Sequence, residues 1–587
     1  VALAILLVVF LVIQAAPAMG HYGLQFLINT NKEGQFGALP FIYGTLVTSF
    51  IAMLIAVPLG IGAAAFLAEI APGWLRRSGS FLVELLAAIP SVVYGFWGIY
   101  VLAPAVQQVF DLWPDAPNTS GDGLLSAGLI LAIMVLPYVT AIAYDVCRAV
   151  PRSQREGSLA LGGTRWQTIW RVVLPYARPG IVGGCFLALG RALGETMAVI
   201  MLIGNNLKFD EFSFTIFGTG ATIPSVIALE LNDSPKLHQS ALVALGLILL
   251  AVSVTVNILA RTLIWRVGNV RQRRFRLARL FSFWRQTDVT TNTSTAAAKP
   301  VPSHSVQGAN RKAVWINRLM TGLLGLCLFI TLVPLFLILG YITVKGITAI
   351  NWDFFTHLPE DEPKGLAHAI YGSALLVGLS TLCAVPVGLL TAIFLAEYKT
   401  GRLGSGVRFI GEQLAGVPSI IIGIFGYALL VAPTGHFSGW AGVFALGVMM
   451  IPTVMRAGEE ALKLVPQSLR NASYALGAAR WQTVLRVTVP AALPAIITGI
   501  CLAMARIAGE TAPLLFTANQ SDFWPKSLSH DMPYLTYYIY TWSRTPSDEQ
   551  NRIAWAAAFV LLAFVMLLNI GIRFLTGKRV VLATRAD

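Results

Sequence analysis

The chain has 587 residues, 56% of them hydrophobic and only 12% charged, with a mean hydropathy of +0.70. Soluble globular chains carry about 25% charged residues, so the composition excludes that class and points to an all-α membrane protein. Lys and Arg collect at one membrane face, so the net charge of +14 reads as topology and contact with the lipid bilayer, and no nucleic-acid partner is expected.

Spanning a bilayer takes roughly 20 apolar residues. In chain order, spans are predicted at about 1–16, 41–68, 81–103, 124–147, 174–203 and 238–264. A second set follows at about 318–343, 370–396, 406–432, 438–462, 489–516 and 553–576. The run from Val1 to Ala16 lacks a basic flank and precedes further spans, so it reads as a first transmembrane helix with upstream residues missing rather than a signal peptide. The five cysteines sit in or beside apolar runs without CxxC or other metal spacing. They are read as packing residues, and no metal site is expected.

Basic residues set the orientation. Arg76, Arg77, Arg148, Arg152, Arg155, Arg165 and Arg171 fall on the same side as Lys399, Arg402, Arg408, Lys463, Arg470, Arg480 and Arg486. The opposite connections are poorer in Lys and Arg. The first side is therefore cytoplasmic, and both ends of each half lie there.

The halves are an internal repeat. Tyr43-Gly44 matches Tyr371-Gly372, Leu67-Ala68-Glu69 matches Leu395-Ala396-Glu397, and Glu84, Pro90 and Ser91 match Glu412, Pro418 and Ser419, all at an offset of 328. From Pro137 and Pro452 onward the offset is 315, which places 13 extra residues in the first half, in its outer loop near 104–123. An even number of spans, about six per half, makes the repeats parallel, and such repeats meet at a pathway. Three regions follow: a membrane domain over 1–266, a basic segment and flexible linker over 267–314, and a second membrane domain over 315–587. The segment from Arg271 to Arg285 suits an anionic lipid surface, and the Thr, Ser, Ala and Pro-rich stretch from Asp288 to Asn310 suits a tether between two joined subunits.

Two motifs stand out. Each half carries an Arg and a Glu four residues apart within an apolar run: Arg191 and Glu195, then Arg506 and Glu510. An ionisable residue deep in a membrane helix costs about 2.5–3.5 kcal/mol, and an i, i+4 pair on one helical face offsets part of that. From residue 177, Arg191 lies about 14 residues along its helix, about 21 Å at ~1.5 Å per residue. Arginine's planar donor fork suits a small oxyanion. Glu195 and Glu510 would weaken the grip, Thr196 and Thr511 would donate hydroxyls, and Arg456, whose counterpart is Ala141, would add an unpaired charge. The alternative is that each Arg–Glu pair merely locks helices together.

The second motif is the loop after each fourth span, running from Pro151 to Pro175 and from Pro466 to Pro490. It reads as a short helix ended near Gly162 or Gly477, then a second short helix with Trp166 or Trp481: a rigid knob fit to pass a push from a soluble partner to the bundle.

The knob resembles the EAA loop of ABC importer permeases in Glu156, Gly162 and Leu174-Pro175, and in Ala472, Gly477 and Pro490. Gly157-Ser158 replace the two alanines of the first copy, and Asn471 stands where the motif has Glu. The runs Arg191 to Val199 and Ile203-Gly204-Asn205 resemble the PstC permease of phosphate import; Ala505 to Thr517 with Phe523-Trp524 resembles PstA. The resemblance implies the type I ABC importer permease fold in a PstC–PstA fusion, in a bacterial inner membrane. It implies a PstB-like ATPase dimer at the knobs, with Glu156, Gly162, Arg165, Asn471, Gly477 and Arg480 in the coupling surface. It also implies a PstS-like periplasmic phosphate-binding protein and a functional Arg near Arg456; a PhoU-like regulator is a further expected partner. No G-x-x-x-x-G-K-[ST] loop occurs, so no cofactor is expected in this chain and ATP with Mg belongs to the ATPase. Sulfate or molybdate is the alternative substrate, and an ion-coupled secondary carrier the alternative mechanism.

Overall fold

A computed structural model describes residues 2–29, 36–112, 121–206, 216–232, 234–283, 311–398 and 401–583. The first half contributes α1 (Ala2–Tyr22), α2 (Leu39–Ile70), α3 (Ser91–Asp111), α4 (Leu124–Arg148), α5 (Arg165–Leu193) and α6 (Lys236–Ala260). The second contributes α7 (Arg311–Ile347), α8 (Ala367–Glu397), α9 (Ser419–Thr434), α10 (Gly439–Lys463), α11 (Arg480–Ala508) and α12 (Asp548–Gly571). Eleven are long and apolar enough to cross a membrane; α9 qualifies only with the arm before it, Gly401–Ala415, against which it bends by 98°. The protein is an all-helical integral membrane protein.

Close approach of small residues holds each half together. A side chain on Gly60 would collide with Val139, and one on Gly388 with Val454, so α2 packs tightly on α4 and α8 on α10. In lipid, where apolar surface alone drives little association, such contacts do the joining. Helix α7 ties the halves: Cys327 on it lies against Gly62 of α2, and its Gly346 lies against Phe559 of α12.

Two expectations need correction. The third spans, expected unbroken over 81–103 and 406–432, are each broken. An arm helix (Gly73–Ala87 or Gly401–Ala415) ends, and Pro90 or Pro418 takes extended ψ values of 142° and 137° before α3 or α9 begins. Proline lacks the N–H that would carry the helix through. The fifth spans, expected to run to 203 and 516, stop at Leu193 and Ala508; the chain turns and resumes as the single turns Met197–Ile200 and Ala512–Leu515.

The extra residues of the first half partly lengthen a helix: Ala103–Asp111 has nine residues where Ala432–Thr434 has three. The basic segment continues the helix of α6 to Phe283. The linker from Asp288 to Asn310 lies outside the described residues.

Candidate anion site and coupling knobs

The breaks in the third and fifth spans meet. Gly194 closes on Pro418 of the other half, and Gly509 closes on Pro90; a Cβ on either glycine would stand 2.8 or 2.7 Å from the proline ring. Within each half, Ser91 stands beside the Glu195 carboxylate and Ser419 beside that of Glu510. Four chain breaks, two per half, thus form one pseudo-symmetric contact between the halves.

The arginines stand one turn before these breaks. Because the helices end at Leu193 and Ala508, Glu195 and Glu510 are off the helix, and the expected i, i+4 face does not exist. Each carboxylate remains in the field of its own arginine, and Glu510 also feels Arg191 from across the interface. So Arg191, Glu195 and Glu510 share one electrostatic neighbourhood, to which Arg506 contributes through Glu510.

The two arginines differ in surroundings. The Arg191 guanidinium carbon lies 4.2 Å from the centroid of the Tyr138 ring, and its Nε is buried without a hydrogen-bond partner. Arg506 is exposed. Arg456 is not the unpaired charge expected: its Nε lies 3.3 Å from Glu460, with both side chains at least 60% exposed. Thr196 and Thr511 are both buried. The Thr196 hydroxyl donates to the Gly194 carbonyl at 3.5 Å, whereas that of Thr511 has no partner. Arg456, Glu460, Lys463 and Arg506 are all exposed. A charged side chain costs about 2.5–3.5 kcal/mol in hydrocarbon, so each of these positions is expected to meet water.

Both knobs form. Helices Arg152–Ala160 and Gln467–Ala475 end at Gly162 and Gly477, whose φ values of +81° and +82° suit glycine. Ser158 with Thr168, and Ser473 with Thr483, close each knob internally at 3.0 and 2.8 Å. Leu161 and Leu476, 91% and 89% exposed, stand at the tips. Glu156, Arg165 and Asn471 are exposed. Arg480 is exposed as well, but it is tied down, donating to the Glu397 carbonyl and covering the Tyr398 ring at 4.6 Å.

Sequence reasoning missed the pins that hold the knobs. Arg155 binds Glu69 at 2.8 Å and the carbonyls of Val150 and Cys147. Arg470 binds Glu397 at 2.8 Å and the carbonyls of Val465 and Leu462. Both members of each pair repeat at the two offsets, which was the available signal. The first knob has one more tie, from the Trp166 amide to Asn317 on α7 at 2.9 Å.

Two similar helical bundles that meet at broken spans, each bearing a rigid knob pinned to a span end, make up the body of a membrane permease. The chain belongs to the family of binding-protein-dependent transport system inner membrane components, whose model matches residues 56–269 and 384–579. It is 42% identical over 273 residues to the phosphate transport system permease protein PstC of Pasteurella multocida, which covers 44% of this chain and 84% of that protein. It is 44% identical over 267 residues to PstC of Mesorhizobium japonicum, 43% of this chain and 81% of that protein. It is also 42% identical over 257 residues to the phosphate transport system permease protein PstA of Haemophilus influenzae, 43% of this chain and 91% of that protein. Each of two relatives with different names is thus matched by about half of the chain.

Proposed function

We propose that this chain is the transmembrane pathway of an ATP-driven importer of inorganic phosphate, with a PstC-like unit over 1–266 and a PstA-like unit over 315–587 joined by 267–314. The observation that carries the reading is the crossed contact of Gly194 with Pro418 and Gly509 with Pro90, which sets an arginine from each half beside one interface. The relatives named for phosphate transport support the choice of substrate.

In this reading the knobs face the cytoplasm of a bacterial cell and seat an ATPase dimer, their apolar tips entering its surface. Leu161 and Leu476 are too exposed to be packing residues of this chain alone. Closing of the ATPases pushes the knobs. The Arg155–Glu69 and Arg470–Glu397 pins pass that push to α2 and α8, and the halves rock about the broken spans. Arg506, the exposed member of the pair, offers the anion a charged donor fork. Glu510, in the field of both arginines, competes with the anion and keeps the grip reversible. A phosphate-binding protein docks on the face opposite the knobs.

The test is uptake of radiolabelled phosphate into vesicles holding this chain with its cognate ATPase and binding protein. ATP-dependent uptake that excess sulfate does not suppress is expected. Uptake that persists without the ATPase would instead favour a secondary carrier.

A further inference from the structure

The two arginines of the proposed site occupy equivalent positions but not equivalent environments. We propose that Tyr138 is a positioning residue that holds Arg191 beneath its ring, so that in this arrangement of the halves Arg506 is the guanidinium presented to the anion. The inference rests on the anion-site reading above.

Three observations carry it. Tyr138 sits face-on to Arg191, 4.2 Å from its guanidinium carbon. The buried Arg191 Nε has no hydrogen-bond partner, so the ring takes the place of polar ligands along that side, an attraction that strengthens where water is excluded. The Tyr138 hydroxyl donates to the Ala87 carbonyl at 3.1 Å, at the end of the arm helix and three residues before Pro90, which touches Gly509 of the other half. The ring is thereby fixed to the break through which the halves meet.

The repeat supplies the internal comparison. At the 315 offset, Tyr138 becomes Thr453 and Ala141 becomes Arg456. Threonine has no ring to cover a guanidinium, and Arg506 is exposed. With Arg191 covered, an anion at this interface is held by one guanidinium of the pair rather than two, which favours its release.

The test is arginine modification by phenylglyoxal on the nucleotide-free complex of this chain with its ATPase, with adducts located by mass spectrometry. In the unaltered protein Arg506 should react faster than Arg191; equal rates would overturn the proposal without any variant being needed. Tyr138→Phe, which keeps the ring, should leave Arg191 protected. Tyr138→Thr should raise its rate about tenfold, the factor to which ~1.4 kcal/mol of lost cation–π attraction corresponds, while the Arg506 rate stays as it was. An Arg191 that stays protected in Tyr138→Thr, or becomes equally reactive in Tyr138→Phe, would contradict masking by the ring. Inorganic phosphate should shield Arg506 in all three proteins and Arg191 in Tyr138→Thr. If masking holds but phosphate shields neither arginine, the anion-site reading fails and the role of Tyr138 stands.

Discussion

Arg155 and Arg470 do the same job in surroundings of different dryness. The Arg470–Glu397 side chains are 11% and 4% exposed, against 19% and 11% for Arg155–Glu69. Removing one partner of a buried pair costs about 3–5 kcal/mol because the other charge is stranded, whereas exposed pairs are worth about 0.2–1 kcal/mol. Arg470→Ala should therefore lower the thermal unfolding temperature of the purified protein more than Arg155→Ala does; equal losses would show that the difference in burial has no energetic weight. These pairs were half legible in the sequence. All four residues repeat at the right offsets, but they lie 86 and 73 residues apart, and nothing in a single sequence says which carboxylate an arginine reaches. The contrast between Arg191 and Arg506 was hidden in the same way, since it depends on Tyr138, which meets Arg191 from another helix.

At the scale of elements, hydropathy located the spans because each is a long apolar run, and glycine located the knob ends because only a left-handed residue fits there. The breaks were not legible. Pro58, Pro137, Pro386 and Pro452 lie inside continuous helices, as membrane helices tolerate. Pro90 and Pro418 read the same in sequence and yet end their helices. What differs is tertiary: each receives a glycine from the opposite half. The knob glycines give the prediction at this scale. Gly477 has φ +82° with open space around it, so alanine there meets no neighbour but pays about 1–2 kcal/mol for the left-handed backbone. Gly477→Ala should displace the Leu476 tip and lower transport per ATP hydrolysed in reconstituted vesicles, while the protein still inserts and assembles. An unchanged ratio of transport to hydrolysis would remove this knob from the coupling path.

Across the whole molecule, the halves are also joined on the face away from the knobs. Arg544 reaches Asp122 at 2.9 Å and the Met201 carbonyl at 2.6 Å, Tyr100 donates to the Ser543 carbonyl at 2.8 Å, and Phe96 stacks on Trp555 with centroids 3.9 Å apart. Rocking the halves to open that face must break these contacts. The Arg544–Asp122 pair is partly exposed, 47% and 17%, and so is worth only about 0.2–1 kcal/mol. Arg544→Ala should raise ATP hydrolysis in the absence of the binding protein by no more than a few fold, and unchanged hydrolysis would mean that the aromatic contacts alone set the closed state.

The repeat, the broken spans and the knobs converge on one requirement, that an arginine at the meeting of the halves handles the transported anion. Arg506 is the exposed member and carries that requirement most directly. Uptake of radiolabelled phosphate by Arg506→Ala, measured beside the parent in vesicles with the same ATPase and binding protein, is the decisive measurement. The account predicts loss of uptake with normal insertion and normal binding of the ATPase; uptake at the parent rate would contradict it.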